Sequence, residues 1–151
     1  MTTFNPQDPA WKQKIQDSFD RQGFMVHLQA RVVASEPGQV ILEAPFRPEF
    51  TQQHGFFHAG VTSSLADTAG GYAAYSLYPA DSSVLTVEFK INLLAPAKGE
   101  KLKAVGTVIK PGRTLTICEL KVYAIEGTRE TLCAVGQQTL ICLAGKLDRQ
   151  Q

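Results

Sequence analysis

Cysteines, histidines and long apolar runs are all scarce in this sequence, and each shortage removes a class of protein. The three cysteines, Cys118, Cys133 and Cys142, are odd in number, lack CxxC spacing and sit in apolar segments. They read as reduced core thiols rather than a disulfide frame. The three histidines have no ligand spacing with Cys or carboxylates, so neither a zinc site nor any other cofactor is expected. No apolar run approaches the ~20 residues that cross a bilayer, and "MTTFNPQDPAWKQ" lacks the basic-then-apolar order of a secretory signal. A soluble, cytoplasmic protein without a membrane partner is expected. The formal net charge is +1 and no Lys/Arg face is clustered, which argues against a nucleic-acid partner. Repeats and low-complexity tracts are absent too.

What remains, 151 residues with 44% hydrophobic content, suits one compact domain. After Pro6 and Pro9, Trp11, Ile15 and Phe19 recur at helical spacing, predicting a short amphipathic helix that ends near Gly23. From Phe24 to Val32 apolar residues alternate with others, predicting a strand. "EPG" at Glu36–Gly38 is turn chemistry, and "QVILEA" offers a second strand paired antiparallel. An irregular linker from Pro45 to Phe57 precedes a helix of small residues that ends near Leu77. Then Leu85, Val87, Phe89, Ile91 and Leu93 alternate with Thr86, Glu88, Lys90 and Asn92, predicting a strand with one wet or ligand-facing side. Strands over 101–110, 114–125 and 131–143 follow, turned by Pro111-Gly112 and Gly127-Thr128. The order is α+β: one central helix segregated from a largely antiparallel sheet. The expected layout is an N-terminal helical extension over 1–23, a single domain over 24–145 and a tail over 146–151.

The central stretch "HAGVTSSLADTAGGYAAY" poses the chemical question, because it holds a carboxylate among small residues. Val61, Leu65, Ala69 and Tyr72 form one stripe; Gly60, Ser63, Ser64, Asp67, Gly70, Gly71 and Ala74 form the other face. Adjacent glycines cost up to ~1 kcal/mol each in a helix, which implies close approach of a backbone or ligand there. Asp67 is either satisfied by Ser63, Ser64 or a neighbouring strand, or is a base or nucleophile. The first N–H groups of the helix, at about Ala59, Gly60 and Val61, lack intrahelical acceptors and suit a developing oxyanion. Asp67 lies two turns on, within expected reach of a water or carbonyl held there. That combination points to acyl transfer to water.

"FHAGVTSSLADTAGGYAAY" followed by "VLTVEFKINLLAPAKGEKLKAVGTVIKPGRTL" resembles the hotdog-fold acyl-CoA thioesterases of the phenylacetate-degradation (PaaI-type) family, over roughly residues 46–143. The resemblance implies a curled antiparallel sheet wrapped around a long central helix, in homodimers or homotetramers with active sites at the subunit interface. It implies Asp67 as general base or nucleophile, and the Ala59 backbone N–H as the group that polarises the thioester carbonyl; Ala stands where the family usually has Gly. It implies roles for His58 at the helix start, for Gln52 in place of an Asn that positions water, and for Thr86, approaching the carboxylate from the partner subunit. Gln53, His54, Phe57 and Ser64 then fall around the substrate, with Gly112 and Arg113 at the nucleotide end of coenzyme A.

Two other readings share the fold. A hydratase or dehydratase pairs a His with a carboxylate, but His58 and Asp67 are over two helical turns apart by rise. A non-catalytic acyl-CoA-binding protein would use the same pocket with no need of Asp67.

Overall fold

The computed structural model describes residues 3–149; the outermost two residues at each end, parts of the expected extension and tail, lie outside the described residues. Its elements are α1 (Trp11–Asp20), α2 (Gly23–His27), β1 (Arg31–Glu36), β2 (Gln39–Pro45), a short 3-10 turn (Pro48–Phe50), α3 (Ala59–Tyr75), β3 (Ser82–Leu93), β4 (Lys101–Lys110), β5 (Leu115–Glu126) and β6 (Arg129–Ala144). Among the described residues no helix is long and apolar enough to cross a membrane.

The six strands form one antiparallel sheet in the order β1-β2-β4-β5-β6-β3. Hairpins account for three of the five neighbouring pairs, β1–β2, β4–β5 and β5–β6. Between β2 and β3 the chain runs through α3 and returns at the far edge, so the curled sheet closes around the helix. This is the expected α+β architecture. Core side chains from both layers meet there: Leu65, Ala69 and Ala73 of α3 pack with Leu42, Leu102, Ala104, Leu120 and Val122, all essentially inaccessible.

One predicted element is corrected. Phe24 to Val32 does not run as a strand; α2 occupies Gly23–His27, and β1 begins only at Arg31. The apolar residues there fit both periods, and helical spacing won: Met25 and Leu28 are buried, while Phe24 and Val26 are 54% and 63% exposed. Gln29, at φ 53, then turns the chain into β1. α1 is bound to the body by Ile15 and Phe19 in the core. Lys14 Nζ donates to the Tyr78 and Pro79 carbonyls at 2.9 and 3.1 Å, just beyond the end of α3.

The glycines of α3 have different neighbours. A Cβ at Gly106 of β4 would lie 2.4 Å from backbone atoms of Ala69 and Gly70, so helix and sheet touch main chain to main chain. A Cβ at Gly70 would lie 2.5 Å from a Leu120 methyl and 2.0 Å from Gln138 Oε1. At Gly71 the only neighbour of an added Cβ among the described residues is a Leu140 methyl at 3.7 Å, an ordinary contact. All three cysteines are free. Burial pushes the Cys118 thiol up to about 12 and the Cys133 thiol up to about 11.

Gly106→Ala should therefore lower stability by about 1–3 kcal/mol through overpacking, whereas Gly71→Ala should be neutral or stabilising by up to ~1 kcal/mol. Urea unfolding of the two variants checks the contrast.

Candidate active site

The start of α3 is shaped by its cap. His58 is extended (φ −63, ψ 140), and its Nδ1 accepts the Gly60 N–H at 2.8 Å. A ring nitrogen does here what a Ser or Asp oxygen usually does. The neutral ring must then carry its proton on Nε2. A Cβ at Gly60 would lie 2.9 Å from that nitrogen. The His58 carbonyl accepts the Val61 and Thr62 N–H groups at 3.0 and 3.3 Å. Among the described residues no acceptor takes the Ala59 N–H. The expected oxyanion donors thus reduce to Ala59; Gly60 and Val61 are already engaged.

Ala59 opens on a cavity of about 470 Å³ lined also by Gln52, His54, Phe57, Thr62 and Leu93. Gln52 sits in a tight turn, its N–H donating to the Phe56 carbonyl at 2.9 Å and its Oε1 accepting the His54 N–H at 2.5 Å. Phe57 is a core residue, 3% exposed, that also walls this cavity. Gln53 is exposed and lines neither this cavity nor the next.

Asp67 belongs to a second cavity, also about 470 Å³, with Gly71, Tyr72, Thr86, Ser18 and Gln22 on its walls. Asp67 Oδ1 accepts two bonds, from Thr86 Oγ1 at 2.7 Å and from Gln138 Nε2 at 2.5 Å. Gln138 Nε2 also donates to the Asp67 carbonyl at 3.1 Å and to Thr86 Oγ1 at 3.0 Å. Among the described residues none donates to Oδ2. One carboxylate oxygen is tethered and the other is not.

Several expectations change. Thr86 Oγ1 donates to Asp67 within one chain, where the resemblance implied an approach from the partner subunit. Asp67 and the helix start of the same chain, expected within reach of one carbonyl or water, line different cavities and are separated by ~12 Å of helical rise. Ser64 Oγ donates back to the Gly60 carbonyl at 2.7 Å and lines neither cavity. Gly112 and Arg113 occupy the β4–β5 turn, also outside both cavities. On α3, Ser63, Ser64, Asp67 and Gly71 are half-buried, but Gly70 and Ala74 turn into the sheet.

The wet side of β3 is corrected as well. A bulge at Val87 leaves Thr86 opposite Leu140 and Phe89 opposite Gln138, so Thr86 and Phe89 share the helix-facing side. Gln138 itself was missed. Its signal was present: in "AVGQQTLICL" alternation with Ala134 and Leu140 turns one of the two glutamines inward. Among the described residues no group of three or more His, Cys, Asp or Glu side chains is placed to hold a metal ion.

A curled antiparallel sheet packed around a long helix is the hotdog thioesterase fold. The chain belongs to the thioesterase superfamily, whose family model matches residues 54–131, and it is a thioester hydrolase. It is 47% identical to a thioesterase family protein from Silicibacter pomeroyi of known structure, with TM-score 0.88 over 89% of this chain and 99% of that one. The E. coli PaaI protein of the phenylacetic acid degradation operon is 18% identical and shares the fold, with TM-score 0.81 over 90% of this chain and 95% of that one. A 1,4-dihydroxy-2-naphthoyl-CoA hydrolase of Listeria monocytogenes is 24% identical over 74% of this chain and 89% of its own length.

The cap has a measurable effect on stability. His58→Ala should cost about 1 kcal/mol of stability and His58→Asn, which caps well, only a few tenths; thermal unfolding of both variants measures it.

Proposed function

We propose that the protein is an acyl-CoA thioesterase that works as a homodimer, each site combining the helix start of one protomer with Asp67 of its partner. The observation that carries the reading is the held carboxylate: Oδ1 fixed by Thr86 and Gln138, Oδ2 free. A thioester R–CO–S–CoA lies with its carbonyl oxygen on the Ala59 N–H. Asp67 Oδ2 takes a proton from water as the water oxygen bonds to the carbonyl carbon, and the displaced π pair is held as an oxyanion at Ala59. When the intermediate collapses the C–S bond breaks, the sulfur receives the proton from Asp67, and the acid and free coenzyme A depart. If Asp67 instead bonds directly to the carbonyl carbon, water hydrolyses the resulting anhydride and the net reaction is the same.

Division of the site between protomers is supported by the separation of the two cavities and by β3. That strand is a sheet edge twelve residues long, with Leu85, Val87, Phe89 and Leu93 exposed at 58%, 56%, 44% and 57%. A long apolar edge left open is an association hazard, and antiparallel pairing with the same strand of a second copy removes it. Such pairing brings each helix start toward the other protomer's Asp67. Dimers of this kind can pair further into tetramers. The acyl group, aryl or medium-chain, enters the cavity beside Gly71 and Tyr72. The coenzyme A class is supported by the motif resemblance and by what the Listeria relative is named for. Arg113, exposed on its turn, offers a guanidinium to the nucleotide phosphates. Three free thiols suit a reducing, cytoplasmic setting.

Phenylacetyl-, benzoyl-, hexanoyl- and octanoyl-CoA, assayed for released thiol, should include at least one good substrate; hydrolysis of none by folded protein would remove the reading. Asp67→Asn should retain acyl-CoA binding and lose about 10²–10⁴ in kcat. Ala59→Pro deletes one N–H at the first helical position, where proline is well tolerated, and should cost about 10²–10³ in kcat. Refolding the two inactive variants together should restore roughly a quarter of wild-type activity, one intact site in half of randomly assorted dimers. No recovery on mixing would place both groups in one protomer.

A further inference from the structure

Gln138 is the most deeply buried polar side chain near Asp67, at 1% exposure, and its Oε1 has no hydrogen-bond partner among the described residues. A buried amide with an unused acceptor is costly, so its other end must be well engaged. That end, Nε2, meets Asp67 Oδ1, the Asp67 carbonyl and Thr86 Oγ1. The amide orientation is decided by these partners: turned over, Oε1 would face a carboxylate oxygen and a carbonyl that can only accept.

The surrounding backbone is arranged around this amide. Gly70, one turn of α3 beyond Asp67, admits it, because any Cβ there would overlap Oε1. On the strand side Gln138 lies opposite Cys118 of β5 and Phe89 of β3, in the interior of the sheet where a side chain has little freedom. Thr86, the other donor to Oδ1, sits on the exposed edge strand. Gln138 is therefore the rigid tether and Thr86 the adjustable one.

Building on the reading of Asp67 as base or nucleophile, we propose that Gln138 is a positioning residue for catalysis, its amide N–H fixing Asp67 Oδ1 so that Oδ2 is the oxygen presented to water or thioester. The fixed oxygen holds both of its acceptor sites occupied. The carboxylate can then neither rotate about its terminal bond nor exchange oxygens, and one lone pair on Oδ2 stays aimed across the cavity. Gln138 touches no substrate in this scheme; it acts through Asp67.

The test is a kinetic cycle on an acyl-CoA that the wild type hydrolyses, with each rate normalised to folded protein by circular dichroism. Gln138→Met keeps the volume and removes the donor. It should lower kcat about 10- to 100-fold, the range for losing a hydrogen bond to a charged group, with KM within about twofold of wild type. In an Asp67→Asn background the same change should lower the residual rate by less than about twofold, because the two residues act as a unit. Gln138→Glu is nearly isosteric and carries the test if the Met variant does not fold. Its activity relative to wild type should fall steadily from pH 5.5 to 8, since an ionised side chain at 138 cannot donate and repels Asp67. Wild-type kcat in Gln138→Met, an equal loss in both Asp67 backgrounds, or a flat pH ratio for Gln138→Glu would overturn the inference. If Asp67→Asn alone is fully active, the underlying reading of Asp67 fails instead, and the two failures are told apart.

Discussion

Main chain meets main chain where α3 crosses β4, and the rest of the molecule is arranged around that contact. Only glycine fits at position 106, because any Cβ would overlap the backbone at Ala69 and Gly70. A helix seated so close to a sheet must be slim on the seated side. Ala66, Ala69, Ala73 and Gly70 supply that profile, all but inaccessible to solvent. The aromatic side chains of the helix, Tyr72 and Tyr75, come late, where α1 packs across it. Close seating also brings the strand residues beside the crossing within hydrogen-bond length of the helix. A glutamine on β6 and a threonine on β3 can meet Asp67 directly, without an intervening layer of water. The site is thus a product of how near helix and sheet come, as much as of which residues they carry.

The same geometry explains why the helix start and the carboxylate are apart. A straight helix spends ~1.5 Å of rise on every residue, and nothing in α3 bends it back. The free Ala59 N–H and the Asp67 carboxylate open on separate hollows of similar size. Between them runs β3, with apolar side chains and a free backbone edge. On the proposed reading, catalysis and assembly share one strand, since the open edge also carries Thr86.

Much of this was legible before any coordinates. The small-residue helix, the four strands from Val84 onward and the second hairpin strand all followed from periodicity, because each has one buried face and clear turn residues at its ends. Asp67 drew attention as a charge among small neighbours. The failures have physical causes too. Between Phe24 and Leu28 a two-residue and a three-residue period coexist, and only tertiary packing chose Met25 and Leu28 as the inward pair. At Val87 one extra residue shifts the phase of β3, so simple alternation assigns Phe89 and Thr86 to opposite faces when they share one. Cap chemistry at His58 withdrew the Gly60 N–H, an occupancy visible only once the ring is placed. Gln138 sits seventy-one residues beyond its carboxylate, and only strand register brings them together.

The two adjacent glycines of α3 have different freedoms. Gly70 is hemmed in on its only open side, so its identity is dictated by the fold. Gly71, next along the chain, has room beyond it and looks into the hollow that holds Asp67. A side chain grown from Gly71 would take up space in that hollow without moving the helix, the sheet or the carboxylate. The scaffold therefore carries an adjustable position beside Asp67. On the proposed function, position 71 is where acyl-chain selectivity can drift, one methyl group at a time, while Asp67 and its two tethers stay unchanged.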